Sequence, residues 1–216
     1  MRLSFSTRGW PDLTWDEMVE TALDMGFTGI EVYNLPKFDD LLAKGGPFHR
    51  YQTAATVRDL REKKLAIPCF DTSCDLSSDP DAVSILTTLI EIAGNAQVRN
   101  VVACALTDNE EAVYEALCKL VPIAEQTGVS LLLKTSGIYA DTARLRNMLD
   151  QFASDYLGAL WDVHHPYRDF GESGDATIKN LGAYIGHVHL RDSDDSGVYQ
   201  LIGEGTTPIA EMIRAL

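Results

Sequence analysis

Runs of apolar residues that end in polar ones alternate with helix-patterned stretches along the whole chain, and this rhythm limits the possible folds more than any single motif does. The strand-like runs are RLSFSTRG, TGIEVYN, LAIPCFDTS, VRNVVACAL, VSLLLKTSG, LGALWDVHH and YIGHVHLRD. Between them, TWDEMVETALDMGF reads as a helix, with Thr14 as N-cap, Glu17 at the capping-box position and Gly26 as its stop. Further helices are predicted over Thr53–Lys64, Pro80–Ala93, Asn109–Thr127, from Asp141 to Ala153, over Asp175–Leu181 and from Pro208 onward. The segment Leu35–Tyr51, with Gly45, Gly46 and Pro47, is too long for a simple connector and reads as a loop able to act as a lid; His49 and Arg50 in it read as surface residues.

Seven strand-then-helix units, roughly 25 to 40 residues apart, call for parallel strands joined by helical crossovers. An open doubly wound sheet and a closed (β/α)8 barrel both use that pattern. The turn after the first strand, STRGWPD, lacks the GxGxxG of a dinucleotide fold. Polar residues end nearly every strand, and not only those at one switch point, which favours a TIM-barrel-type α/β domain spanning residues 1–216. Such barrels typically need about 250 residues, so the eighth β/α unit is expected to be missing. A shortened chain, a strand supplied by another segment or subunit, and an open seven-stranded variant would each explain this; shortening of a longer pattern is the preferred reading. An unclosed edge would favour self-association into a homo-oligomer.

Composition narrows the partners. A net charge of −14, from 32 acidic against 18 basic residues, repels phosphate backbones and anionic membrane surfaces, so neither nucleic acid nor membrane is an expected partner. Cys69, Cys74, Cys104 and Cys118 show no CxxC spacing and read as core thiols of a reducing compartment. The N-terminus has no signal-like apolar stretch, and a cytoplasmic location is expected.

The chemistry concentrates between Leu157 and Asp192, which hold four of the five histidines. Residues two apart share a strand face, so Leu132, Lys134 and Ser136 point one way, as do Leu160, Asp162 and His164, and His187, His189 and Arg191. If these strands are neighbours, Lys134, Asp162 and His189 converge at the barrel mouth. An Asp and a His at adjacent strand ends make half of a divalent-metal site. Glu31 and Asp71, at the ends of the second and third strands, are candidate pocket-lining acids.

WDVHHPYR, HVHLRD and the following LIGEG segment, set in this strand and helix rhythm, resemble the sugar phosphate isomerase/epimerase superfamily of xylose isomerase-like barrels, related also to the endonuclease IV fold. The resemblance implies action on a carbohydrate or sugar phosphate and one divalent ion (Mn, Mg, Co or Zn). Its ligands would be a Glu from strand five, Asp162, His189 and a Glu from strand eight, with His165 matching a substrate-contacting histidine. Apart from the resemblance, Arg191 is a candidate substrate-binding residue, and His164 reads equally as strand-end packing or as lining the substrate pocket. The sequence departs from that pattern where the strand-five glutamate belongs: LLLKTSG places Lys134 there, and the strand-eight glutamate would lie past Leu216. Glu204 does not supply it.

An ammonium in place of a carboxylate changes the local charge by two units and offers no lone pair. Metal binding at that position is therefore expected to be weak or absent. Lys134 is expected to pair with Asp162 as a surrogate charge, or alternatively to act as base or Schiff-base nucleophile. His187 reads as a deeper packed histidine, hydrogen-bonded and inert. The functional expectation is a sugar isomerase/epimerase-like protein with a degenerate metal site, the alternative being a non-catalytic barrel serving as binding module or subunit. An abasic-site endonuclease would want more ligands and a basic groove.

Overall fold

A computed structural model describes residues 2–35 and 39–216. Seven strands, β1 (Ser4–Ser6), β2 (Gly29–Tyr33), β3 (Cys69–Asp75), β4 (Asn100–Cys104), β5 (Ser130–Lys134), β6 (Leu157–Asp162) and β7 (Ile185–His189), form one sheet in sequence order. Every neighbouring pair is parallel. This is a TIM-barrel-type α/β sheet, curled and open: among the described residues β1 pairs only with β2, and β7 only with β6.

The crossover helices are α1 (Trp15–Asp24), α2 (Asp39–Leu42), α3 (Thr53–Glu62), α4 (Ala82–Asn95), α5 (Glu110–Thr127), α6 (Thr142–Leu149), α7 (His164–Phe170), α8 (Gly174–Leu181) and α9 (Ile209–Ala215). None is long and apolar enough to cross a membrane. Local chemistry starts several of them. Thr14 and Glu17 form the expected capping box, Asp141 caps α6, and Gly128 ends α5 at φ 71°, a left-handed conformation that glycine adopts without strain.

Three expectations need correction. The sixth strand stops at Asp162, and His164 and His165 open α7 instead of prolonging the strand. The strand's face alternation therefore does not govern His164. Helix α6 ends at Leu149, four residues before the expected Ala153. The segment read as a lid falls partly on residues 36–38, outside the described residues; in its remainder Phe48 is buried between Trp15 and Phe70 at ring distances of 5.3 Å each, which anchors that part, while Ala43, Lys44, Arg50 and Tyr51 are exposed.

Two apolar layers set the site. The main core lies between the sheet and its helices, from Met18 and Ala22 of α1 through Leu117 and Leu120 of α5 to Leu149. Inside the barrel, Cys69, Val102, Leu132 and Leu160 form a separate buried layer, one residue from each of β3 to β6. Two residues further along, the same inward face carries Asp71, Cys104, Lys134 and Asp162. The polar ring therefore sits directly above an apolar floor.

Candidate active site

The register of β7 positions the histidines. Ala159 pairs with Ile185 but Leu160 with His187, so Gly186 is the extra residue of a β-bulge. The bulge brings Asp162 opposite His189. A Cβ at Gly186 would lie 3.0 Å from Leu132 Cδ2, so a side chain there would press on the apolar floor.

Strands β5, β6 and β7 are neighbours, as convergence at the mouth requires. Their side chains nevertheless pair differently from the expectation. Lys134 Nζ donates to Asp71 Oδ2 at 2.8 Å in a buried ion pair, and does not pair with Asp162. Asp162 instead faces Arg191, whose Nε lies 3.1 Å from Oδ2. Lys134 points inward from β5 while Asp162 lies beyond its register partner Leu160, so β3 across the interior meets the long amine better than the adjacent strand does. Burial alone would lower the Arg191 pKa; the Asp162 charge and the Tyr199 hydroxyl outweigh it and raise it.

His187 is hydrogen-bonded, as expected, and its partner is a buried carboxylate on β2. Its Nε2 lies 2.9 Å from Glu31 Oε2, and His189 Nε2 lies 2.7 Å from the same oxygen. Burial raises the Glu31 carboxyl, but the two imidazoles, His189 foremost, hold it well below the usual carboxylate range. The sequence signal for this cluster was the His-x-His spacing itself, which places both rings on one strand face.

The remaining candidates scatter. His165 contacts Asp169 of its own helix, Nδ1 to Oδ2 3.2 Å, and stacks edge-on against His164 at 5.1 Å. His164 is buried beside Tyr199, and burial, with His165 adding to it, lowers its pKa. Glu204 is exposed. His49 and Arg50 contact Tyr51 within their own loop.

Several buried polar atoms at this end of the barrel have no hydrogen-bond partner: Glu31 Oε1, Asp71 Oδ1, Asp162 Oδ2 and both ring nitrogens of His164. Three of these are carboxylate oxygens on β2, β3 and β6; the one on β6 has the Arg191 guanidinium beside it, and the other two are acceptors awaiting donors.

The profile of the xylose isomerase-like TIM barrel family matches residues 19–216. The chain belongs to this family. Within the family's fold, the chain is similar over its full length to the probable 3-DHS dehydratase AsbF from Bacillus anthracis, at 18% identity and TM-score 0.83, covering 88% of that chain. It is similarly like IolI, a protein solved with a bound zinc atom (15% identity, TM-score 0.83, 100% of this chain and 84% of that one). A D-tagatose 3-epimerase-like protein matches at 16% identity and TM-score 0.79, over 100% of this chain and 86% of that one. No curated protein matches the sequence.

The xylose isomerase-like pattern places its ion against Asp162 and His189, and the residues present do not fit one there. The Arg191 guanidinium lies against the Asp162 oxygen that would bind it, and the strand-five ligand is an amine engaged with Asp71. Glu31, His187 and His189 do bring three donor atoms within 4.8 Å of one another.

Proposed function

We propose that this barrel binds a carbohydrate or sugar phosphate at its polar mouth and shifts a proton next to the sugar carbonyl, as a sugar isomerase or epimerase, with the family's metal position degenerate. The observation that carries this reading is the pair of buried carboxylate oxygens on β2 and β3, Glu31 Oε1 and Asp71 Oδ1, that lack donors among the described residues. A polyol offers one hydroxyl donor per carbon, which suits acceptors spread around a ring of strands better than an apolar or purely anionic ligand does.

In this reading Lys134 donates a hydrogen bond to the carbonyl oxygen and so supplies the positive charge missing at the vacated ion position. Asp71 Oδ1, the free oxygen of the same ion pair, takes the proton from the neighbouring carbon. As Asp71 takes the proton from carbon, Lys134 gives one to the carbonyl oxygen and an enediol forms; the now neutral amine then takes the proton of the neighbouring hydroxyl while the Asp71 carboxyl returns its proton to the former carbonyl carbon, which completes isomerisation. Arg191 and His164 orient hydroxyls. His165, engaged by Asp169, has no part in it.

The relatives named as epimerase-like and dehydratase support a sugar-directed or polyol-directed class without specifying the substrate. A specific observation favours a second reading, a non-catalytic binding barrel: each cation at the mouth is already matched to a buried carboxylate.

Incubation with ketohexoses, aldopentoses and their phosphates in deuterated water, followed by proton NMR, tests the choice. Deuterium entering the carbon beside the carbonyl, and lost in Lys134→Met, is the expected result. Binding without exchange selects the non-catalytic reading, and binding of no sugar overturns both.

A further inference from the structure

We propose that Glu31, His187 and His189 form a divalent-cation site of the Zn²⁺ and Co²⁺ type, displaced from the Asp162 position toward β2. The three donors come from opposite sides of the barrel mouth, 156 and 158 residues apart in sequence. Their ligand atoms lie within 4.8 Å of one another. Tetrahedral metal–ligand bonds of about 2.1 Å set adjacent donors about 3.4 Å apart, so contacts of 2.7 and 2.9 Å need to open by only a fraction of an ångström.

Independent observations point to a ligand here. Glu31 Oε1 is buried without any partner, although its side chain is only 3% exposed. Two imidazole nitrogens converge on the single oxygen Oε2, an arrangement that two protons now hold together and that one dication can replace. The cations that would repel a metal are engaged elsewhere, Lys134 by Asp71 and Arg191 by Asp162. An outer partner is also near: His189 Nδ1 lies 3.9 Å from Asp162 Oδ2, the oxygen that Arg191 Nε approaches at 3.1 Å. When Nε2 gives up its proton to bind the ion, the Nδ1–H can turn to that carboxylate.

Two imidazoles and one carboxylate suit Zn²⁺ or Co²⁺, whereas Mg²⁺ and Ca²⁺ prefer all-oxygen shells. Three protein ligands leave one position open, as in catalytic rather than structural zinc sites. The inference does not depend on sugar turnover, because the ion itself is read.

The test titrates chelator-treated protein with Co²⁺, followed by visible absorption, and with Zn²⁺ by calorimetry. One equivalent should bind, with a tetrahedral Co²⁺ spectrum. His187→Gln and Glu31→Gln should each weaken binding about a hundredfold and alter the spectrum. Asp162→Asn should weaken it less and leave the spectrum in place. On the unaltered protein, ¹⁵N-correlated NMR of the five histidines should show Zn²⁺ shifting the Nε2 signals of His187 and His189 only, a readout independent of how the variants fold. The proposal is overturned by the absence of stoichiometric binding, by unchanged affinity in His187→Gln with a native spectrum, or by Zn²⁺ shifts on His189 without His187.

Discussion

Lys134 and Asp71 illustrate how a buried charge is tolerated. Both are nearly inaccessible, and among the described residues each has the other as its one ion-pair partner, at 2.8 Å. Removing one member of such a pair leaves an uncompensated charge and typically costs about 3–5 kcal/mol, whereas replacing both with neutral groups of similar shape is far milder. Lys134→Met should therefore lower stability by about that amount, and Lys134→Met combined with Asp71→Asn should recover most of it, as read from urea unfolding midpoints. Full additivity of the two substitutions would mean that the pair is not coupled. A lysine on an inward strand position was legible in the sequence; its partner was not, because the amine reaches across the barrel and does not pair along its own edge.

At the scale of elements, the segment after β7 is organised by one carboxylate. A short antiparallel hairpin, β8 (Asp192–Ser193) with β9 (Tyr199–Gln200), is followed by a turn that returns to Asp192. Asp192 Oδ1 accepts from the backbone N–H of Ser193 and Thr207, and Oδ2 from those of Gly203 and Gly205. Burial pushes its carboxyl up, but these four bonds outweigh it and hold the pKa below the usual range. A group depressed in the folded state contributes stability that is complete above its unfolded pKa of about 3.9 and lost as pH falls through the folded value. Amide protection factors at Gly203, Gly205 and Thr207, taken relative to the intrinsic exchange rate at each pH, should thus fall below pH about 3.9 before those of the main core do. Asp192→Asn turns an amide donor onto two backbone donors and should cost about 1–3 kcal/mol for each N–H left unpaired, measurable by thermal unfolding. Gly205→Ala should disrupt the same turn, since a Cβ there would sit 2.2 Å from Asp192 Oδ1 and 2.5 Å from the Ser193 carbonyl.

For the whole molecule, the open sheet matters most. Every residue of β4 and β6 is buried, whereas β1 and β7 are only partly covered. Among the described residues no strand pairs with their outer edges, and open edges of this kind favour pairing with another chain. Sedimentation equilibrium should therefore show concentration-dependent self-association, and Pro introduced at Val188 should weaken it by removing a donor and distorting the edge strand. A strictly monomeric protein at tens of micromolar would contradict this.

Class and the position of the polar ring could be read from the sequence, because they follow from periods of two and about four residues that act locally, whereas which strands are neighbours was only a condition until the sheet order was in hand. The capping box at Thr14 and the cap at Asp141 were equally legible, being contacts three residues long. The end of the sixth strand was not: LGALWDVHH continues an apolar pattern, yet the chain turns into α7 at His164. Only the tertiary structure decided who meets whom at the mouth. Curvature of the sheet and the bulge at Gly186 carry Glu31 to two histidines more than 150 residues away, with separations of 156 and 158. Local periodicity carries no information about a distance that exists only once the barrel has curled.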